Sequence, residues 1–138
     1  MKTIPTISDA EWHVMTALWA RSPATAGEIV SALQGKIDWK PTTVKTLLGR
    51  LVKKRAVAFS ERGREYVYRP TVEREECVHA ASRSFLGRVF GGSLVPMVAQ
   101  LVETGTLTPK EMQALRKVLD RGADQPKRQS RGRAGGKS

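Results

Sequence analysis

Cysteine is nearly absent. Cys77 is the only one in 138 residues, so no intrachain disulfide can form, in keeping with a reducing compartment. Histidine is as scarce, with only His13 and His79. His13 lies beside Trp12 in a packing pattern and reads as structural. Cys77 and His79 stand two apart, which on a helix points them to different faces. With no Cys-x-Cys or Cys-x-x-Cys pair, the three or four converging ligands of a metal site are lacking, and Cys77 reads as a small buried hydrophobe. There is no catalytic constellation and no phosphate-binding glycine loop, so neither an enzyme nor a cofactor is expected. No stretch approaches the roughly 18 apolar residues of a membrane span. The start, MKTIPTISDAEW, has no apolar signal core. The expectation is a soluble, cytoplasmic chain with no membrane segment.

Acid is also scarce: the chain has 24 Lys and Arg against 13 Asp and Glu, a formal charge of +11. The excess is uneven. Residues 1–71 carry 12 bases and 6 acids, residues 72–120 carry 6 of each, and residues 121–138 carry 6 bases and 1 acid. A positive N-terminal half and tail flanking a neutral middle suit a nucleic-acid-binding module joined to a module with another task.

The most informative stretch runs from Lys40 to Arg55. Val44, Leu47, Leu48, Leu51 and Val52 recur at i, i+3, i+4, i+7 and i+8, the apolar stripe of an amphipathic helix. The other face holds Thr43, Lys45, Thr46, Arg50, Lys53 and Lys54, with no acid from Pro41 to Arg55. Arg and Lys reach guanine edges and phosphates, and Thr bonds or packs its methyl on thymine, so this face suits the major groove of double-stranded DNA. A solvated basic face on an ordinary helix is the alternative.

Upstream, Ser8 and Glu11 have capping-box spacing. The helix that follows presents Trp12, Met15, Leu18 and Trp19, and Arg21-Ser22-Pro23 ends it. Thr25 caps a second helix with Ala26, Ile29, Val30 and Leu33 inward and Gly35 as its stop. Pro41 suits the first turn of a third. Ala56–Ser60 and Tyr66–Arg69 then read as two strands joined by Glu61-Arg62-Gly63-Arg64-Glu65, with Gly63 placed for the turn. Three helices and an Arg-tipped hairpin describe a winged helix-turn-helix, mainly α with a small β wing. A small α+β domain with an accidental basic helix stays open.

Pro70-Thr71 marks a boundary between a domain over 1–71 and a helical region over 72–120. A helix over 72–90 offers Val78, Ala81, Phe85, Leu86, Val89 and Phe90, and Gly91-Gly92 breaks it. Leu94, Met97, Val98, Leu101 and Val102 form a second stripe. Thr108-Pro109 opens a third helix with Met112, Leu115, Val118 and Leu119. So small a unit encloses little core, so its apolar stripes imply a second copy of the chain or packing back on the winged domain. Residues 121–138, RGADQPKRQSRGRAGGKS, read as a disordered basic tail, either adding phosphate affinity or acting as a solubilising terminus.

Three segments carry a family resemblance: Ile7-Ser8-Asp9-Ala10-Glu11-Trp12, the run from Asp38-Trp39 through Thr43-Val44-Lys45-Thr46-Leu47-Leu48 to Arg50-Leu51, and Phe85-Leu86 with Val89-Phe90-Gly91-Gly92-Ser93-Leu94. Over about residues 4–120 the chain resembles the BlaI/MecI/CopY family of bacterial repressors, homodimers that bind palindromic operators upstream of β-lactamase or metal-response genes. The resemblance implies a recognition face of Thr43, Thr46 and Arg50 with Lys45 at its edge. Thr42 and Lys40 would stand at the helix start, Lys53 further along, and Arg62, Arg64 and Tyr66 on the wing. It also implies a dimer interface drawn from Val78, Phe85, Leu86, Val89, Leu94, Val98, Leu101, Leu115 and Leu119.

The chain departs from that family in four places. Lys40 replaces a common Ser cap, which removes about 1 kcal/mol. Arg55 replaces a common helix-ending Gly, at a strain of about 1 kcal/mol if left-handed. The paired Cys-x-Cys motifs of the copper branch are missing. In the β-lactamase branch release is by cleavage of an Asn-Phe bond, the position of Gln100-Leu101 here, which would make a membrane sensor-protease a further partner. A non-specific, architectural DNA binder remains the alternative function.

Overall fold

The computed structural model describes residues 3–124. The last part of the basic tail, 125–138, lies outside the described residues. Three helices come first, α1 (Asp9–Ala20), α2 (Ala26–Leu33) and α3 (Pro41–Lys53). An antiparallel hairpin of β1 (Val57–Arg62) and β2 (Glu65–Pro70) follows, then α4 (Arg74–Phe90), α5 (Leu94–Glu103) and α6 (Pro109–Ala123). This is the expected order of three helices, wing and further helices.

The helix starts follow from local chemistry. Ser8, Thr25 and Thr108 each accept the amide of the residue three on, and Glu11, Glu28 and Glu111 each reach back to the cap's own amide. All three are closed capping boxes, satisfying amides that a helix start leaves orphaned. Helix α3 differs, because Lys40 is its N-cap and makes no side-chain cap bond. Pro41 at the first helical position has no amide to lose.

The core of the first unit joins the three helices, the hairpin and the start of α4. Val14, Met15, Leu18, Ile29, Val44, Leu48 and Leu51 are its large fully buried apolar side chains. The stripe of α3 is buried at Val44, Leu47, Leu48 and Leu51, with Val52 half-buried at its edge. On α1 the inward face differs from the expected Trp12–Trp19 stripe. Its axis is Glu11, Val14, Met15 and Leu18, and both tryptophans flank it half-buried, their rings 5.5 Å apart. The polar Glu11 at the head of that face hides the true period, and two large indoles draw the reading sideways.

The wing registers Val57 with Pro70, Phe59 with Tyr68 and Arg62 with Glu65, leaving Gly63 and Arg64 as a two-residue turn. Of these two only Gly63 has positive φ, 67°, the pattern of a type II′ hairpin. Ala24, just before α2, pairs with Tyr68 across the free side of β2.

The end of α3 is a Schellman motif. The Arg55 amide bonds the Val52 carbonyl at 3.0 Å and the Ala56 amide bonds the Leu51 carbonyl at 2.9 Å. Arg55 sits at φ 66°. Helix α5 closes by the same pair of bonds, Gly105 to Val102 and Thr106 to Leu101, with Gly105 at φ 77°. One sequence thus meets one geometry with glycine at one site and arginine at the other. Arg55→Gly is expected to raise stability by about 1 kcal/mol, since it removes the left-handed penalty of a Cβ and the exposed side chain holds no core. Thermal melts check this: a rise of about 4–8 °C is expected for a unit of this size, and no rise would show that the arginine side chain compensates the strain.

The described residues form two compact units that part between Arg88 and Val89, later than the Pro70-Thr71 boundary read from composition. The start of α4 and the residues just before it explain the difference. Val72 and Cys77 are buried in the first core, and Trp19 Nε1 donates to the Val72 carbonyl at 3.0 Å. Cys77 is 2 % exposed, as expected of a small hydrophobe. Positive φ at Gly91 and Gly92 ends α4 as read. Helix α6 runs past the expected end at residue 120, taking in Arg121, Gly122 and Ala123. Arg121 in its last turn opposes the negative end of the dipole, which offsets the cost of Gly122.

Candidate nucleic-acid interface

The buried stripe of α3 turns its opposite face to solvent. Thr42, Thr43, Lys45, Thr46, Arg50 and Lys53 are all exposed, with Lys40 exposed at the cap. There is no acid in the first turn, so the partial positive charge of the helix start adds to Lys40 and Lys45. Anions are favoured at such an end. The Thr46 hydroxyl donates to the Thr42 carbonyl at 3.0 Å. Its hydrogen is therefore committed to the helix, and its methyl and oxygen lone pairs are what it presents outward.

Lys54 belongs elsewhere. The basic face read from the sequence included it, but its ammonium turns back to α1, where it meets the Glu11 carboxylate and donates to the Thr6 carbonyl at 2.8 Å. Glu11 is 1 % exposed and also accepts the Ser8 amide at 2.9 Å. Burial alone would raise the Glu11 carboxyl, but the Lys54 hydrogen bond and charge, with the Ser8 amide, outweigh it and hold the carboxyl below its ordinary 4.5. This pair anchors the C-terminal end of α3 to α1. The signal was available only as the capping-box spacing of Ser8 and Glu11, which does not reveal the long-range partner.

The wing places its two arginines differently. Arg62, at the last register position, faces Glu65 across the hairpin. Its charge also reaches Glu28 on α2, a carboxyl lowered first by the Thr25 amide and further by Arg21 and Arg62. Arg64, in the turn, instead lines a cleft of about 660 Å³ with Lys45 and Pro41 of α3 and with Tyr66 and Tyr68 of β2. The cleft therefore brings together Lys45, Arg64 and Tyr66, whereas Arg50 and Lys53 lie along α3 outside it. Tyr68 is half-buried there, its phenol raised by burial and then by Tyr66, so it stays neutral. Sequence reasoning passed over Phe59. It is 46 % exposed and its ring centre lies 4.9 Å from that of Tyr66, giving the wing an apolar plate beside its cations. The alternation of β1 with β2 puts Phe59 and Tyr68 opposite one another, and that register was the signal that could have found it.

Among the described residues no group of three or more His, Cys, Asp and Glu could hold a metal ion. His13 is exposed, its ring edge-on to Trp39 at 5.8 Å. No single helix among the described residues is long and apolar enough to cross a membrane.

The residues expected at a dimer interface lie on α4, α5 and α6. Phe85, Val89, Leu94 and Leu119 are exposed, and Val78, Leu86, Val98, Leu101 and Leu115 are half-buried. Gln100 is exposed near the end of α5, with its carbonyl bonded by the Thr104 amide at 3.0 Å.

The family model described as Penicillinase repressor matches residues 7–121. The penicillinase repressor of Bacillus licheniformis is 37 % identical over 120 residues, 87 % of this chain and 94 % of that protein. The methicillin resistance regulatory protein MecI of Staphylococcus aureus strain N315 is 32 % identical over 115 residues, 83 % of this chain and 94 % of its own. The crystal structure of MepR, a transcription regulator of the S. aureus multidrug efflux pump MepA, superposes with a TM-score of 0.50 at 21 % identity, covering 86 % of this chain and 78 % of that one. The last of these is a likeness of fold alone. With most of both repressor chains covered at above 30 % identity, and the matched span running from the α1 cap into the last turn of α6, this chain belongs to the penicillinase repressor family.

Proposed function

We propose that this chain is a sequence-specific transcriptional repressor that binds a double-stranded DNA operator as a homodimer. One observation carries the reading: an acid-free, exposed face of Thr, Lys and Arg on a helix whose back is buried in the core. In this reading α3 enters the major groove, and Lys45 and Arg64 in the cleft take phosphates on either side of Tyr66. The winged unit, completed by the start of α4, reads DNA, and the helices beyond it pair two copies. Two recognition helices then sit about one helical turn apart on a pseudo-palindrome, and the bound dimer excludes polymerase from the promoter. Two relatives being named a penicillinase repressor and a methicillin resistance regulatory protein supports β-lactam resistance genes as candidate targets. Loss of the dimer is enough for release, since one half-site binds far more weakly than two linked ones. Cleavage of Gln100-Leu101 by a membrane sensor-protease is one route, and it requires the end of α5 to open first.

Selection of random duplex DNA by the purified chain at about 150 mM salt, with sedimentation of the complex, tests this. A palindrome bound by two chains is the expected result. Enrichment of nothing, with salt-labile binding throughout, would make it an architectural DNA binder instead. On the selected site, Arg50→Ala is expected to weaken binding by about 1–3 kcal/mol with little change on random duplex, as for a base contact. An unchanged ratio of the two affinities would move Arg50 to the phosphates.

A further inference from the structure

The wing joins the recognition helix at one small polar junction. Pro70, the last residue of β2, has no amide to give to the ladder. The next residue takes over: the Thr71 amide donates to the Ala56 carbonyl at 2.9 Å, and the Thr71 hydroxyl donates to the Arg55 carbonyl at 2.7 Å. Arg55 is the left-handed residue that closes α3. Its carbonyl lies outside the two bonds of the Schellman motif, so Thr71 is the group that fixes its direction. Immediately after, Val72 is buried and its carbonyl is held by Trp19 of α1. The chain leaving the wing is thus bolted first to the end of α3 and then to α1.

We propose that Thr71 is a positioning residue for DNA binding, whose hydroxyl on the Arg55 carbonyl sets the angle of the wing to the recognition helix. The hydroxyl bond is exposed, so water competes for it and its effect on global stability is small. Its geometric effect is larger. The hairpin is two strands rooted in the core at Val57, Val67 and Tyr68 and bonded to Ala24, while its outer part, residues 59–66, is exposed throughout. A small change of angle at Thr71 is magnified at Arg64, at the far end of both strands. Lys45 and Arg64 grip the same stretch of backbone only while that angle holds.

This inference rests on the DNA-binding reading for its consequence but not for its geometry, and the test separates the two. Spin labels on Lys53→Cys and Glu61→Cys in the full chain report the helix-to-wing distance without DNA, Cys77 being buried. Thr71→Val keeps the shape and deletes the hydroxyl, and Thr71→Ser keeps the hydroxyl. The distance distribution is expected to broaden or shift in Thr71→Val and to be native in Thr71→Ser. On a duplex carrying one half-site, Thr71→Val is expected to bind about 5- to 10-fold more weakly, with a similar proportional loss on random duplex because Lys45 and Arg64 hold phosphates, and Thr71→Ser to restore binding. In an Arg64→Ala background the same substitution is expected to cost less than about twofold, because the group it positions is gone. An unchanged distance distribution in Thr71→Val overturns the proposal, as does native affinity in Thr71→Val, a loss confined to the half-site duplex, or full additivity with Arg64→Ala. A wild-type chain with no half-site preference, whose wing nevertheless loosens in Thr71→Val, removes the repressor reading and leaves the positioning role standing. If Thr71→Val melts below the assay temperature, Thr71→Ala at a lower temperature carries the same comparison.

Discussion

Glu11→Ala is expected to cost the first unit about 2–3 kcal/mol, among the largest losses available to a single polar substitution here. Two groups converge on one buried carboxylate: the Lys54 ammonium and the Ser8 amide, the latter closing the capping box at the start of α1. Removing one partner of a buried pair costs most when the other is stranded. Lys54 is about one-third exposed, so its ammonium swings into water and the loss stays below that of a fully enclosed pair. What water cannot replace is the link between α1 and the end of α3. The pH dependence follows from the same contacts. The folded carboxyl lies below its ordinary 4.5, so its stabilisation is fully present above that value and is lost as pH falls through the folded value. Urea melts of the native chain and Glu11→Gln are therefore expected to differ at pH 7 and to converge in acid. A difference that stays constant down to pH 3 would show that Glu11 acts through shape alone.

Much of this architecture is legible in the residues because independent signals agree. The stripe from Val44 to Val52, Pro41 ahead of it and the absence of acid all specify one exposed basic helix, and Gly63 between two β-rich runs specifies the hairpin. The two departures at Lys40 and Arg55 were also readable, since caps and left-handed turns have local residue preferences. The structure places an uncapped start and a positive φ at those two positions.

What the sequence hid is what depends on distant partners. A glutamate at the head of an inward face looks like a break in the apolar period until Lys54, 43 residues away, supplies its counter-charge. The same partner removes Lys54 from the basic face. The first half of α4 reads as the start of a separate helical region because Pro70-Thr71 is a turn, yet Val72 and Cys77 complete the first core. The different surroundings of Arg62 and Arg64 follow from a one-residue register that composition does not encode.

Leu94→Asp with Leu119→Asp is expected to produce a monomer and to lower affinity for a two-half-site operator by about 10²–10⁴, toward that of one half-site. Among the described residues none after Cys77 is buried, and Val89, Leu94, Val95, Val118 and Leu119 are between 46 and 74 % exposed. That is a heavy load of apolar surface for three short helices, and a self-complementary partner covers it without a second gene product. Both chosen leucines are exposed, so an aspartate at either leaves the folded chain little disturbed. Sedimentation reads the assembly, and binding to one-site and two-site duplexes reads its consequence. The single-site affinity is expected to be unchanged, because α3 and the wing are untouched. An intact dimer in the double variant would move the interface off α5 and α6. A monomer that still grips the two-site duplex as tightly as the native chain would mean that the two copies are coupled through the DNA and not through these helices.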